Sequence, residues 1–242
     1  DQNNFIYDII ARRVIDSLDL LNIQFKRALE IGVNENIVYN YLVNKYADIV
    51  IKRADIFFDI HNSKKINNYL NIDLDNLSFS KNSFDLVYSN SILHLSNNFE
   101  KNLISILNGL KSNGFFIAVI PDKNNVYQLI NSMYETDIRL YRGVFQRVNQ
   151  TIKVDNILSI LKKLNFDAPS IHSDNFSINY SIFKNLLKDI RDTKLSYSHF
   201  DKKTNFENKK YFEVLELIYK EKYFDKSFEL DINVNIISGW KR

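Results

Sequence analysis

The sequence predicts an α/β protein built on a mostly parallel sheet with helices on both faces. Three observations carry that prediction. First, Arg27-Ala-Leu-Glu-Ile-Gly-Val-Asn-Glu-Asn36 is a short apolar run that ends in an acid and a glycine, followed by a polar turn and a helix-like run over Ile37–Val43. Second, strand-like and helix-like segments alternate from there to Pro121. Third, the chain closes on Phe228–Trp240, a long period-two alternation that reads as a strand with one wet face.

Taken in order, Phe5–Leu21 places Ile6, Ile9, Ile10, Val14, Ile15 and Leu18 at helical spacing and predicts an amphipathic helix over a pocket edge. Strand one covers Arg27–Ile31, and a helix runs from about Asn36 to Tyr46. Asp48–Asp55 reads as strand two and Tyr69–Asp73 as strand three, both ending in an acid. Phe84–Asn90 is strand four, and Asn98–Leu110 has helical periodicity. Lys111-Ser-Asn-Gly114 reads as the stop of that helix, with Gly114 on its C-cap side. Phe115–Ile120 is the continuous apolar run of a buried parallel strand.

Beyond Pro121 the order changes. Helices are expected over Asn125–Tyr141, Val154–Leu164, Ser181–Asp192 and Lys209–Tyr223, with an alternating strand at Pro169–Tyr180. No repeat, low-complexity tail or linker interrupts the chain, so the reading is a single domain over residues 1–242, with a helical and connector insert at about 125–165 and 181–223 over the pocket.

Composition narrows the function classes. Hydrophobic residues make up 45% and charged residues 25%, ordinary values for a globular protein, and a net charge of +3 is too small to imply nucleic-acid binding. Without cysteine there is no disulfide framework, thiolate nucleophile or cysteine-based zinc site, and the four histidines (His61, His94, His172, His199) show no ligand spacing. No apolar run reaches membrane-spanning length, which makes a cytoplasmic protein the default expectation. Glycine (5) and proline (2) are scarce while Asn, Ile and Lys abound. Asn is the non-glycine residue that best tolerates a left-handed backbone, so Asn34 and Asn36 are read as keeping a turn that glycines would otherwise make.

A buried strand, a tight turn and a helix N-terminus in that order build a nucleotide-type pocket at the carboxyl edge of a sheet. An acid about 20 residues beyond such a turn accepts hydrogen bonds from ribose hydroxyls, and Asp55 stands in that place.

The pattern resembles motif I of the class I S-adenosylmethionine (SAM) methyltransferases, acid-x-Gly-x-Gly-x-Gly, with Glu30 and Gly32 matching and Asn34 and Asn36 in place of the second and third glycines. Further tokens extend the resemblance over nearly the whole chain: Ala54-Asp-Ile56, Leu77-Ser-Phe-Ser-Lys-Asn-Ser-Phe-Asp-Leu-Val87, Ser91-Ile-Leu-His94, Asn113-Gly-Phe-Phe-Ile117, Arg147-Val148, Leu161–Phe166 and Gly239-Trp-Lys241. They are similar to the branch that holds the malonyl carrier-protein O-methyltransferase of biotin synthesis and the mitochondrial complex I assembly factor.

The resemblance implies a Rossmann-like, seven-stranded, mostly parallel sheet with an antiparallel last strand, and SAM as cofactor. Glu30, Gly32, Val33 and Asn34 would line its methionine end, Asp55 the ribose, Ile56, Asp73 and Leu74 the adenine, and Asn90 and Ser91 the floor of the methyl-transfer site. His94 is expected either to orient or deprotonate an acceptor or to cap the loop after strand four. Arg139, Arg142 and Arg147 with Tyr141 are candidates to clamp an acceptor carboxylate or phosphate, Tyr141 and Arg147 being placed with the catalytic group. The implied activity is methyl transfer to a small acid, an acyl-carrier thioester or a protein side chain, without a metal. Two alternatives stand beside it: a complex I assembly-type factor that modifies a partner protein, and a SAM-fold protein that has lost catalysis through its altered motif I.

Overall fold

The computed structural model describes residues 5–33, 36–55, 68–147, 153–193 and 207–242. Asn34 and Ile56, two of the expected cofactor residues, lie outside the described residues, as do Val148, His61 and His199.

Seven strands form one sheet in the order β3-β2-β1-β4-β5-β7-β6. They are β1 (Arg27–Ile31), β2 (Val50–Asp55), β3 (Tyr69–Asn71), β4 (Phe84–Asn90), β5 (Leu110–Pro121), β6 (Phe166–Tyr180) and β7 (Phe228–Lys241). Pairings from β3 through β5 are parallel, and β7 is antiparallel to both β5 and β6. The helices are α1 (Phe5–Asp19), α2 (Ile37–Lys45), α3 (Phe99–Gly109), α4 (Tyr127–Tyr141), α5 (Val154–Lys163), α6 (Phe183–Asp192) and α7 (Lys209–Tyr223). None among the described residues is long and apolar enough to cross a membrane.

The chain separates into two units, the first holding residues 1–121, 152–173 and 235–242, the second 122–151 and 174–234. In the first, β1 and β4 are buried along almost their whole length, as central parallel strands must be when helices cover both faces. Leu29, Ile31, Val87, Phe116 and Ala118 form the core with Leu103 and Ile106 of α3 and with Ile157 and Leu161 of α5. Burying a side chain of this size removes it from water for roughly 1.5–3 kcal/mol each, which is why the periodicity of α3 and α5 was so readable.

Two local expectations change. Helix α3 stops at Gly109 and β5 begins at once, so Lys111–Gly114 lies inside the strand and not at a helix cap. Phe84 pairs with Leu110 and Leu86 with Phe115, so residues 111–114 bulge opposite Asp85, with Asn113 left-handed at φ 63°. Lys111 reaches back to the Asp85 carboxylate at 3.2 Å. Strand β7 is wet on one face only through its first half; Asn235, Ile236 and Ile237 are all buried, so both faces are covered there.

In the second unit α4 packs on α7. Phe183, Tyr219 and Phe228 make a three-way aromatic contact with centroids 5.2–6.1 Å apart.

Candidate functional site

The carboxyl ends of β1, β2 and β4 gather most of the expected cofactor residues. Chain geometry does this directly: Glu30 pairs with Arg53 and Tyr88 in register, so Gly32, Asp55 and Asn90 emerge together where the strands end. Gly32 has φ +87°, and its N–H donates to the Ala54 carbonyl at 2.7 Å. A Cβ there would come within 2.5 Å of Ile92 Cγ2, so the glycine is demanded by both backbone conformation and the approach of the loop after β4. Val33 N–H donates to Asp55 Oδ2 at 2.8 Å, which ties the turn after β1 to the end of β2.

Beside this turn lies α1. Asn90 Nδ2 donates to the Tyr7 carbonyl at 3.3 Å, and burial together with the Asp55 carboxylate holds the Tyr7 phenol well above the usual tyrosine range. Ser91 is left-handed at φ 55°, its N–H donating to Val119 O at 3.0 Å and its hydroxyl to Asn90 Oδ1 at 3.1 Å. Ser89 anchors the same strand end by donating to the Ile31 carbonyl at 2.8 Å.

His94 follows in a single 3-10 turn, Leu93–Leu95. It is buried, and neither ring nitrogen has a hydrogen-bond partner among the described residues. The loop-capping role is therefore not what holds it. Burial pushes its pKa down to about 4, so the ring is neutral at neutral pH.

Asp73 is exposed, and its Oδ1 accepts the Asp75 N–H at 2.9 Å as the cap of the 3-10 turn Leu74–Asn76; Leu74 is buried under it. Asp75, which the sequence reading passed over, is the organiser here. Its carboxylate accepts Asn97 N–H at 2.8 Å, Asn97 Nδ2 at 2.7 Å and the Ser96 hydroxyl at 3.2 Å, bonds that hold its pKa below the usual carboxylate range. It thereby joins the turn after β3 to the loop carrying His94.

The larger omission is Arg53. Its Nε donates to Glu30 Oε2, and its Nη1 to Asn36 Oδ1 at 2.7 Å and to the Tyr69 hydroxyl at 2.9 Å. The guanidinium lies 4.7 Å from the Tyr39 ring centroid and 5.4 Å from that of Tyr69. Glu30 and Arg53 are 1% and 5% exposed, so this is a buried ion pair. Asn36, at the third glycine position, has φ −117° and not a left-handed conformation. Its side chain is used as an acceptor, and its tolerance of a strained backbone is not called on. The signal in the sequence was an arginine two residues before the strand-end acid.

The arginine cluster belongs to the second unit. Arg147 pairs with Asp137, which is fully buried, and with Glu207 at 2.8 Å, and stacks over Tyr211 at 4.5 Å. Tyr141 donates to the other Glu207 oxygen and stacks on Tyr211. Arg139 lies 3.6 Å from Glu135 and 3.9 Å from Glu221, and Arg142 closes α4 in a left-handed conformation. Among the four, Tyr141 and Arg147 are brought together through Glu207.

A family model described as a methyltransferase domain matches residues 29–118. That span runs from β1 into β5 and contains every described cofactor candidate; with the sheet order it makes this a protein of the class I, Rossmann-like methyltransferase fold. The relatives carry it further. The chain is 23% identical to the mitochondrial arginine-hydroxylase NDUFAF5 of Homo sapiens, over 98% of this chain and 70% of that protein. It is 23% identical to the Dictyostelium discoideum protein of the same name, over 98% of this chain but only 60% of the relative's length. Among solved structures it superposes on a SAM-dependent methyltransferase from Archaeoglobus fulgidus with TM-score 0.55 and 15% identity, covering 97% and 94% of the two chains. It also superposes on Haemonchus contortus phosphoethanolamine N-methyltransferase 2 in complex with SAM, with TM-score 0.55 and 17% identity, covering 98% of this chain and 56% of that one.

SAM is the cofactor of this class of domain. Asp55, a strand-end carboxylate beside the Gly32 turn, fits the acceptor that a ribose requires. The methionine side is different, because the Glu30 carboxylate is already committed to Arg53.

Proposed function

We propose that the protein is a SAM-dependent methyltransferase of the cytoplasm, acting on a small acid, an acyl-carrier thioester or a protein side chain. The observation that carries the reading is the Asp55–Val33 hydrogen bond at the Gly32 turn, which sets a strand-end carboxylate beside a left-handed glycine turn, the arrangement a ribose site uses. When bound, SAM supplies an activated methyl group to be transferred in line to a nucleophile. What the chain must add is alignment and the exclusion of water.

In this reading Asp55 accepts from the ribose hydroxyls, Gly32 and Val33 give the close backbone approach, and Asp73 and Leu74 flank the base. Asn90 and Ser91 floor the acceptor side. His94, neutral and with a pKa of about 4, is too weak a base to strip a proton from an alcohol; its role is to accept a hydrogen bond from the acceptor and orient it. A carboxylate acceptor arrives already ionised, so no stronger base is needed. Within the second unit, Tyr141 and Arg147 are proposed to hold in place the segment that carries Arg139 and Arg142.

Calorimetric titration with SAM tests the reading. Wild-type protein is expected to bind in the micromolar range, and Asp55→Asn, which keeps an acceptor for Val33, to bind about tenfold or more weakly. Equal affinity in the variant would remove Asp55 from the ribose.

Modification of a partner protein is the second reading, favoured by the near-complete coverage of this chain by proteins named arginine hydroxylases. Mass spectrometry of candidate acceptors after incubation separates the two: gain of a methyl group supports transfer from SAM, and gain of oxygen supports hydroxylation.

A further inference from the structure

We propose that the groove between the first turns of α4 and the β6–β7 pair, wholly within the second unit, binds a neutral polyhydroxylated ring, a pyranose sugar. This goes beyond the cofactor reading and does not rest on it.

The groove has a volume of about 650 Å³, within the range of small-molecule sites. Its floor is the wet face of the antiparallel β6–β7 pair, where Asn175 and Ser177 alternate along β6 and Asp231 and Asn233 along β7. Its wall is Tyr127, Ile130 and Asn131, one face of α4 at helical spacing. The turn Asp122–Val126 ties wall to floor. Asp122 N–H donates to Asn233 O at 2.9 Å and Val126 N–H to Asp231 O at 3.0 Å. In return Asn233 N–H donates to Asn125 Oδ1 at 3.0 Å, and Asp231 N–H to Gln128 Oε1 at 3.2 Å. Between these bonds Val126 stands at φ 51°, a conformation that a β-branched residue avoids unless its surroundings impose it. The groove is therefore shaped before any ligand arrives.

Its chemistry selects the ligand. Lys123 and Asp231 bring opposite charges, so an ionic ligand gains no net attraction. Asn131 and Asn175 are exposed, and each amide brings two donors and an acceptor. The Asp231 carboxylate, which accepts the Ser177 hydroxyl at 2.5 Å, adds further acceptor capacity. A phosphate or carboxylate would satisfy the donors and oppose the acceptors; an ammonium would do the reverse. A hydroxyl donates and accepts, and so uses both halves of the set. The apolar part lies on the wall: the Tyr127 ring, 39% exposed and in edge contact with Tyr223 at 6.1 Å, beside Ile130. A pyranose has the matching form, with a C–H face to lie on that wall and hydroxyls around its rim. A linear polyol has the hydroxyls without the face.

Saturation-transfer NMR of the full chain is the test, with the methyl glycosides of glucose, galactose, mannose and N-acetylglucosamine as probes and sorbitol as the linear control. At least one glycoside is expected to take up saturation, with Kd of about 1 mM, and sorbitol none. Asn131→Ala and Asn175→Ala, with the fold checked by circular dichroism, should each weaken that binding by about fivefold. Tyr127→Ala should weaken it at least as much, through loss of the apolar wall.

Saturation of none of the glycosides overturns the inference. So does equal saturation of sorbitol, which would mark contact with hydroxyls alone. Affinity unchanged in both amide variants overturns it as well, because the sugar would then sit elsewhere. None of these outcomes touches Asp55 or the Gly32 turn, so the cofactor reading is decided by its own titration.

Discussion

Asn36 Oδ1 accepts a 2.7 Å hydrogen bond from Arg53 Nη1, from the position where the third glycine of the motif would stand. A glycine there lets a helix N-terminus close down on the first strand. Here the same junction is made by a side chain that reaches from the start of α2 to a guanidinium on β2. Asn36→Ala is expected to destabilise the protein by about 1.5–3 kcal/mol, the range for a hydrogen bond to a charged group. Asn36→Asp keeps the acceptor and should restore most of that loss. Urea unfolding of the pair of variants measures it, and equal midpoints for Asn36→Ala and wild type would show that the bond contributes nothing.

Gly32 is fixed by contact as well as by conformation. Its φ of +87° disfavours any side chain, and a Cβ would meet Ile92 Cγ2 at 2.5 Å and Ile92 Cβ at 2.9 Å. Gly32→Ala should therefore lower stability by about 1–3 kcal/mol before any ligand is added. Loss of SAM binding in a bulkier Gly32 variant then reports the fold as much as the pocket. Adding Ile92→Ala should relieve the steric part and leave the backbone part, so thermal unfolding of the double variant is expected to fall between Gly32→Ala and full loss of the Ile92 core contact. A Gly32→Ala melt identical to wild type would contradict this account.

These two residues show what the sequence could and could not reveal. Strands and helices were legible because burial imposes periodicity: Phe84–Asn90 and Lys209–Tyr223 stand in the structure with the boundaries read from the pattern. The Glu30, Gly32 and Asp55 spacing was legible because a strand, a tight turn and a crossover helix leading to the next parallel strand have few geometries. Arg53 was not, because a charged residue inside a strand normally signals an exposed face, and only the register with Glu30 makes it internal. The bulge at Lys111–Gly114 was hidden for a similar reason. Polar residues with a glycine look the same at the end of a helix and in an irregular strand, and the pairing with Phe84 and Leu86 is what separates the two. Arg147 was read for its charge alone, whereas its partners Asp137 and Glu207 are 10 and 60 residues away.

Arg147→Ala is expected to act on stability. Asp137 is fully buried and Arg147 is its bidentate partner, with the Phe145 N–H completing the site at 3.1 Å. Removing the guanidinium leaves a buried carboxylate uncompensated, at a cost of about 3–5 kcal/mol. Arg147→Lys should recover little, since an ammonium cannot bridge Asp137 and Glu207 in the same fork. Hydrogen exchange across Tyr127–Tyr141 locates the effect: faster exchange in α4 is expected in both variants. Protection equal to wild type would return Arg147 to the acceptor-clamping role read from its charge.

His94 supplies a pH dependence whose sign follows from burial. Its pKa is about 4 in the folded protein against 6.5 for an ordinary histidine, so between those values the unfolded chain binds a proton that the folded chain refuses. Stability therefore rises with pH across that window and is lost as pH falls from about 6.5 toward 4, by at most about 3 kcal/mol. Below pH 4 both states carry the proton and the loss stops growing. His94→Gln has no ionisation to lose, so its unfolding free energy should be flatter than wild type over the same window, even if its value at neutral pH is lower. Denaturant melts at several pH values compare the two slopes. Parallel slopes would mean that the ring takes up its proton inside the folded protein at an ordinary pH. A ring that did so would need an acidic or carbonyl partner close to Nδ1 or Nε2, in conflict with the unpartnered nitrogens found among the described residues.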